Sequence, residues 1–155
     1  MQIRKFKPGE EIELWHLFHD SVHHISTDFY TSEQLLAWSP KQIDADKWRA
    51  RIRNISPFVV ERDKKLIGYA DVQANGFVDH FFVHSQWQRR GVGNLLMQII
   101  TEVARQNAVD HLFSDVSIAA KPFFERWGFV VEKEQQVRIQ REVLKNYRML
   151  RKLTH

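Results

Sequence analysis

The residues with the clearest chemical potential are 88–93, reading QRRGVG, which stand between an apolar run and a strongly amphipathic one. The first backbone N–H groups of a helix have no intrahelical partner. The helix dipole adds positive potential at the same end. Glycines at 91 and 93 let a ligand approach the main chain with no Cβ in the way. Arg89 and Arg90 add cationic donors at the lip. Together these features form a cradle for an anion such as phosphate. A dinucleotide fingerprint would need a third glycine, and position 96 is Leu. The Gly-Lys-Ser/Thr ending of a nucleotide phosphate loop is also missing from this segment. Asp79 and His80, just upstream, are the nearest groups that could move a proton.

Several elements must position that loop. Residues 2–6 alternate like a short strand, broken by Pro8-Gly9. Ile12, Leu14, Trp15, Leu17, Phe18 and Val22 fall close to helical spacing. Ser32 is placed to cap a second helix, with Leu35, Leu36 and Trp38 inward and Pro40 ending it. A third short helix spans 44–53 around Trp48. The period then changes. Residues 58–61 and 66–72 read as strands joined at Asp63-Lys64-Lys65, and Asn75-Gly76 turns the chain into a further strand over 77–83. After the loop, Val92, Leu95, Leu96, Ile99, Ile100 and Val103 line one helix face. Residues 112–116 form a strand, and 117–127 contain a helix that must start near Ala120 or Lys121, because Pro122 is tolerated only in a first turn. Gly128 suits the left-handed residue that ends it. Residues 130–139 and 147–153 close the chain as strands. The pattern predicts one α+β domain over 1–155, a mixed, mostly antiparallel sheet flanked by helices.

Two segments now become specific. VDHFFVHSQWQRRGVGNLLM resembles the acetyl-CoA-binding segment of the GNAT superfamily of N-acetyltransferases, with signature Gln/Arg-x-x-Gly-x-Gly/Ala. Gln88, Gly91 and Gly93 fill it. SIAAKPFFERWGF resembles the superfamily's next motif, Asn-x-x-Ala-x-x-Phe-Tyr-x-x-x-Gly-Phe, through Ala120, Phe123, Gly128 and Phe129. The resemblance extends over nearly the whole chain. It implies acetyl-CoA as the acetyl donor and direct transfer to an amine, on a small molecule or a protein, in a ternary complex. It implies that the backbone of Phe81, Phe82 and Val83 pairs with the pantetheine arm. The amides of Arg89, Arg90, Gly91, Val92, Gly93 and Asn94 would hold the pyrophosphate, and the strand over 112–116 would splay away. Val83 N–H would face the developing oxyanion. Two positions depart from the pattern. Ser117 stands where many members have Asn, and Phe124 where many have the Tyr that protonates the departing thiolate.

Amide formation needs a neutral amine, and an amine of pKa about 10.4 is neutral about once in 2,500 molecules at pH 7. Asp79 and His80 are the candidate bases; a regular strand would put Asp79 on the face of Phe81 and Val83, and His80 on that of Phe82 and His84. With Phe at 124, the acid can be Tyr147, ranked first, Tyr30, or water, or the thiolate can leave unprotonated. His23, His24 and Tyr30 are expected on the acceptor side. Phe29, Tyr30 and Trp38 read as core and pocket wall. His16, His19 and His23 share a helix face but lack an H-E-x-x-H pattern, so no metal is expected. Lys121 and Arg126 can face the donor's 3′-phosphate or water.

Composition sets the remaining bounds. The 155 residues carry 43% apolar side chains and no cysteine, which excludes a cysteinyl intermediate and fits a cytoplasmic protein. No apolar run or leader-like N-terminus points to a membrane. The net charge of +4 is dispersed, unlike a nucleic-acid footprint. A monomer or homodimer is expected. The alternatives are an acyl-CoA-binding module with little catalysis, motivated by Phe124, and a nucleic-acid binder, motivated by the terminal YRMLRKL.

Overall fold

A computed structural model describes residues 1–154. The chain opens with β1 (Gln2–Lys5) and three helices, α1 (Glu11–His23), α2 (Ser32–Trp38) and α3 (Ala45–Ile55). Then come β2 (Phe58–Arg62), β3 (Lys65–Ala70), β4 (Phe77–Val78) and β5 (Phe81–Val83). A 3-10 turn (Ser85–Trp87) leads to α4 (Val92–Gln106), β6 (His111–Ser117), α5 (Lys121–Arg126), β7 (Val130–Ile139) and β8 (Glu142–Lys152).

The strands form two four-stranded sheets, in the orders β1-β2-β3-β5 and β4-β6-β8-β7. All pairings among the described residues are antiparallel except β4 with β6. This is the expected mixed, mostly antiparallel architecture flanked by helices. The first sheet is covered on both faces, which explains why its central strands read as continuous apolar runs. On one face, Val60, Ile67 and Val83 pack with Val92, Leu96 and Ile100 of α4. On the other, Val59, Leu66 and Tyr69 pack with Leu14 and Phe18 of α1 and Trp48 and Ile52 of α3. Buried Glu11 locks α1 to α3: it accepts from Arg53 Nε at 2.7 Å, and its carbonyl accepts from Trp48 Nε1 at 2.6 Å.

Several local expectations are corrected. The strand expected over 77–83 is broken at Asp79-His80, and its halves join different sheets. Thr31, rather than Ser32, caps α2, in a reciprocal box with Gln34. Leu36 is 40% exposed, not inward. As expected from Pro122, α5 starts at Lys121, with the proline in its first turn where it displaces no hydrogen bond. β8 begins at Glu142 rather than 147, and pairs with the whole of β7 across a turn in which Gln140 has φ +55°. The segment 142–146 conceals that strand because Leu144 is its one buried apolar residue and cross-strand pairing with β7 holds the rest.

Candidate active site

The break in the β4–β5 strand is built by Asp71, which follows β3. Its carboxylate Oδ1 accepts from Asp79 N–H at 2.9 Å and His80 N–H at 2.7 Å, and its own N–H donates to His80 O at 3.1 Å. Asp71 is fully buried, and burial pushes its carboxyl up to about 6 against the pull of those N–H groups. β4 then runs parallel to β6, while β5 stays with β3. The two strands therefore part beyond Val78, as the resemblance implies.

The parting leaves β5 at the edge of its sheet. His84 N–H donates to Ile67 O, and Gly68 lies opposite Val83. Antiparallel ladders alternate, so the backbone groups of Phe81 and Val83 point away from β3, toward the open edge. Gln88 Nε2 donates to Val83 O at 3.0 Å and folds the loop back against the strand. Val83 N–H stays directed into the cleft. Arg89 has φ +60° and Gly91 φ +87°, so the main chain curls before α4 begins at Val92. The two glycines have different duties. Gly91 supplies the left-handed conformation, with nothing within 4 Å of a would-be Cβ. Gly93 makes room for a neighbour, since a Cβ there would lie 3.1 Å from the Phe123 ring. Trp127 Nε1 donates to Asn94 Oδ1 at 3.0 Å, tying α5 to the start of α4.

A cleft of about 890 Å³ follows this edge, lined by Phe81, Val83, Gln88, Gly91, Ser117 and Phe124 among others. Arg89, Gly93, Asn94, Arg126, Phe29 and His24 also border it. Phe124 is buried against Phe81 (5.5 Å between centroids) and Phe129 (5.0 Å). Ser117 Oγ accepts from Ala120 N–H at 3.1 Å, so it shapes the turn into α5. Arg90 stacks on Trp87 at 5.3 Å.

A second cavity of about 550 Å³ lies on the α1–α3 side. Trp38, Phe82 and Ser117 line both cavities, which meet there. His80 and Asp79 stand in the wall of the second cavity, with Nε2 and Oδ2 3.9 Å apart. This corrects the expected face of Asp79: the break turns it to the side of His80, away from Phe81. Asp79 also pairs with Arg51 at 3.2 Å. His80 Nδ1 shares a hydrogen bond of 2.8 Å with the hydroxyl of fully buried Tyr69. Burial lowers His80 to about 4, so its ring is neutral at physiological pH. Burial likewise raises the Tyr69 hydroxyl, keeping it protonated.

The two candidate acids sit in different places. Tyr30 lines the second cavity; its hydroxyl donates to Lys145 O at 2.6 Å and accepts from Ile118 N–H at 3.0 Å. Tyr147 borders neither cavity. It pairs across from Val116, packs against the α4-side core and lies under Lys121 Nζ at 4.9 Å. His23 also borders neither cavity, with Nε2 2.7 Å from Ser39 O, while His19 bonds Ser39 Oγ at 2.7 Å. His24 lines the first cleft and not the second cavity. Among the described residues, no group of three or more His, Cys, Asp or Glu could hold a metal ion. Sequence reasoning missed Asp71, Arg51 and Asp115 as cavity-shaping charges. A lone carboxylate ending the apolar run LIGYA was the signal for Asp71.

A split edge strand, a helix-start loop and two cavities that meet beside them are the features that the sequence resemblance implies. A family model described as the acetyltransferase (GNAT) domain matches residues 26–145, and the chain belongs to that family. It is 30% identical over 155 residues to the uncharacterized N-acetyltransferase YafP of Escherichia coli, covering 100% of this chain and 98% of that one. The peptidyl-lysine N-acetyltransferase YiaC of the same organism is 30% identical over 103 residues, 59% of this chain and 67% of that one. The fold matches a GCN5-related N-acetyltransferase of Rhodopseudomonas palustris with a TM-score of 0.93 and 26% identity, covering 98% of this chain and 95% of that one. At 18% identity, the putative acetyltransferase yncA of Salmonella typhimurium, solved with acetyl-CoA, shares the fold with a TM-score of 0.72 over 100% of this chain and 95% of that one.

Proposed function

We propose that this protein transfers an acetyl group from acetyl-CoA to a primary amine by direct attack in a ternary complex. The observation that carries the reading is the meeting of the two cavities at Trp38, Phe82 and Ser117, beside the free backbone edge of β5. The donor's arm pairs with the outward groups of Phe81, and its pyrophosphate lies on the amides around Gly91. Its thioester then reaches the junction, where an amine can approach from the second cavity. Holding both partners at contact removes most of the entropy cost of a two-body encounter.

Asp79, with His80 beside it, takes the proton of the incoming amine, directly or through water. Val83 N–H points into the cleft and stabilises the oxyanion of the tetrahedral intermediate. When the intermediate collapses, the C–S bond breaks and the thiolate leaves. Tyr30 is the hydroxyl at the cavity wall that can return a proton, by swinging its hydrogen from Lys145 O to the thiolate while the Ile118 N–H holds its oxygen in place. Free coenzyme A released against an amine panel, read with a thiol reagent, tests the function. Turnover that depends on both substrates, falls about tenfold or more in Asp79→Asn and falls in Tyr30→Phe but not Tyr147→Phe is expected. Tight acetyl-CoA binding without turnover on any amine would instead favour the acyl-CoA-binding module, which buried Phe124 in place of the usual Tyr motivates.

A further inference from the structure

The second cavity has a definite chemical character. Trp15, Phe18, Trp38, Trp48 and Phe82, with Tyr30, form an aromatic side of its wall, and Val137, Ile139 and Leu144 add aliphatic surface. The rings meet edge to face: Phe18 and Phe82 at 4.8 Å, Trp15 and Trp48 at 5.3 Å, Tyr30 and Trp38 at 6.0 Å. Such an array presents both ring faces and ring edges to an inserted ring. Its charges are already matched. Asp79 pairs with Arg51 at 3.2 Å, and Asp115 with Arg148 at 2.7 Å. His80 is neutral. The cavity therefore carries no excess carboxylate for the several ammonium groups of a polyamine, and no excess cation for the carboxylate of an amino acid. Its volume of about 550 Å³ lies within the range of small-molecule sites and leaves room for a bicyclic ring on a short chain.

Resting on the transferase reading, we infer that the acceptor is an arylalkylamine: a flat aromatic body lying against the wall that Phe18, Trp38 and Trp48 present to the cavity, with a short chain that delivers its primary amine past Asp79 to the junction at Phe82. The amine loses its proton to the Asp79 side and gains the acetyl carbonyl carbon; the C–S bond breaks and coenzyme A leaves. The same wall discriminates against a linear aliphatic amine, which meets the rings without filling the space between them.

The test compares phenethylamine and tryptamine with butylamine, spermidine and a lysine-containing peptide, by kcat/KM at saturating acetyl-CoA. The aryl amines are expected to exceed butylamine at least 30-fold. Trp38→Leu is expected to cut the phenethylamine-to-butylamine ratio about tenfold, mainly through KM. Phe82→Leu serves as the second variant if the melting temperature shows the first to be unfolded. Spermidine or the peptide ahead of both aryl amines, or no difference among amines, overturns the aryl class while the transferase reading stands. Calorimetry with the product, N-acetylphenethylamine, separates the two failures. Saturable binding of that product with no turnover of any amine supports the aryl site and overturns the transferase reading. Absence of both overturns the inference.

Discussion

Asp71 and His80 are neighbours across the strand break, and they oppose each other as pH changes. The Asp71 carboxyl rises from 3.8 to about 6 on folding, so the folded state binds the extra proton between those values and stability falls as pH rises through that window. His80 drops from 6.5 to about 4, so the unfolded chain binds the extra proton and stability rises with pH across nearly the same window. Each shift corresponds to ~3 kcal/mol. The two contributions largely cancel in the native protein. Relative to it, Asp71→Asn should gain stability by up to ~3 kcal/mol as pH goes from 3.5 to 7, and His80→Gln should lose ground over the same range. Urea titrations at several pH values read both differences. Parallel curves for native and variant proteins would show that neither group changes its proton affinity on folding.

Among the elements, the β2–β3 hairpin offers a clean test of turn chemistry. Asp63 and Lys64 have φ of +51° and +64°, the geometry of the hairpin turn that matches strand twist. Lys64 carries a Cβ in that strained region. Lys64→Gly should raise stability by ~0.5 to 1 kcal/mol, seen as a higher urea midpoint with unchanged m-value. A lower midpoint would mean that the lysine side chain matters more than its backbone angle. The hairpin and α4 were legible in the sequence because each follows one local rule, turn chemistry or helical period. The break at Asp79-His80 was not. It depends on Asp71, separated in sequence, accepting two N–H groups that a continuous strand would have given to a neighbour. The same break decides which cavity Asp79 lines, so that face could not be read from alternation. That Tyr147 lines neither cavity was hidden for a related reason: its strand was legible, but not which side of the sheet faces the second cavity.

For the whole molecule, donor binding and folding should be linked. The loop, β5 and α5 all belong to the folded cleft, so a ligand that bridges them binds only the native state. At 100 times Kd, acetyl-CoA should add ~2.7 kcal/mol, raising the melting temperature by roughly 5 to 10 °C. Gly91→Glu should lose that rise, since it places a carboxylate where an anion must sit and strains a residue at φ +87°. An equal rise in the variant would remove the loop from the donor site. Gly93→Glu is a poorer probe, because its Cβ already presses on Phe123 and disturbs the α4–α5 contact.

The short β5 strand has a consequence for how such a protein diversifies. Phe81 and Val83 line the first cleft, while His80 lines the second cavity and Phe82 the junction. Alternate positions on a few consecutive residues thus answer to different selective pressures. On the proposed function, changes at His80 or Trp48, which line the second cavity and not the first, retune the acceptor while the machinery for a common metabolic donor is inherited unaltered. Descendants of one ancestral chain can then exchange acceptors through substitutions on one face, with no intermediate generation that has to rebuild the other.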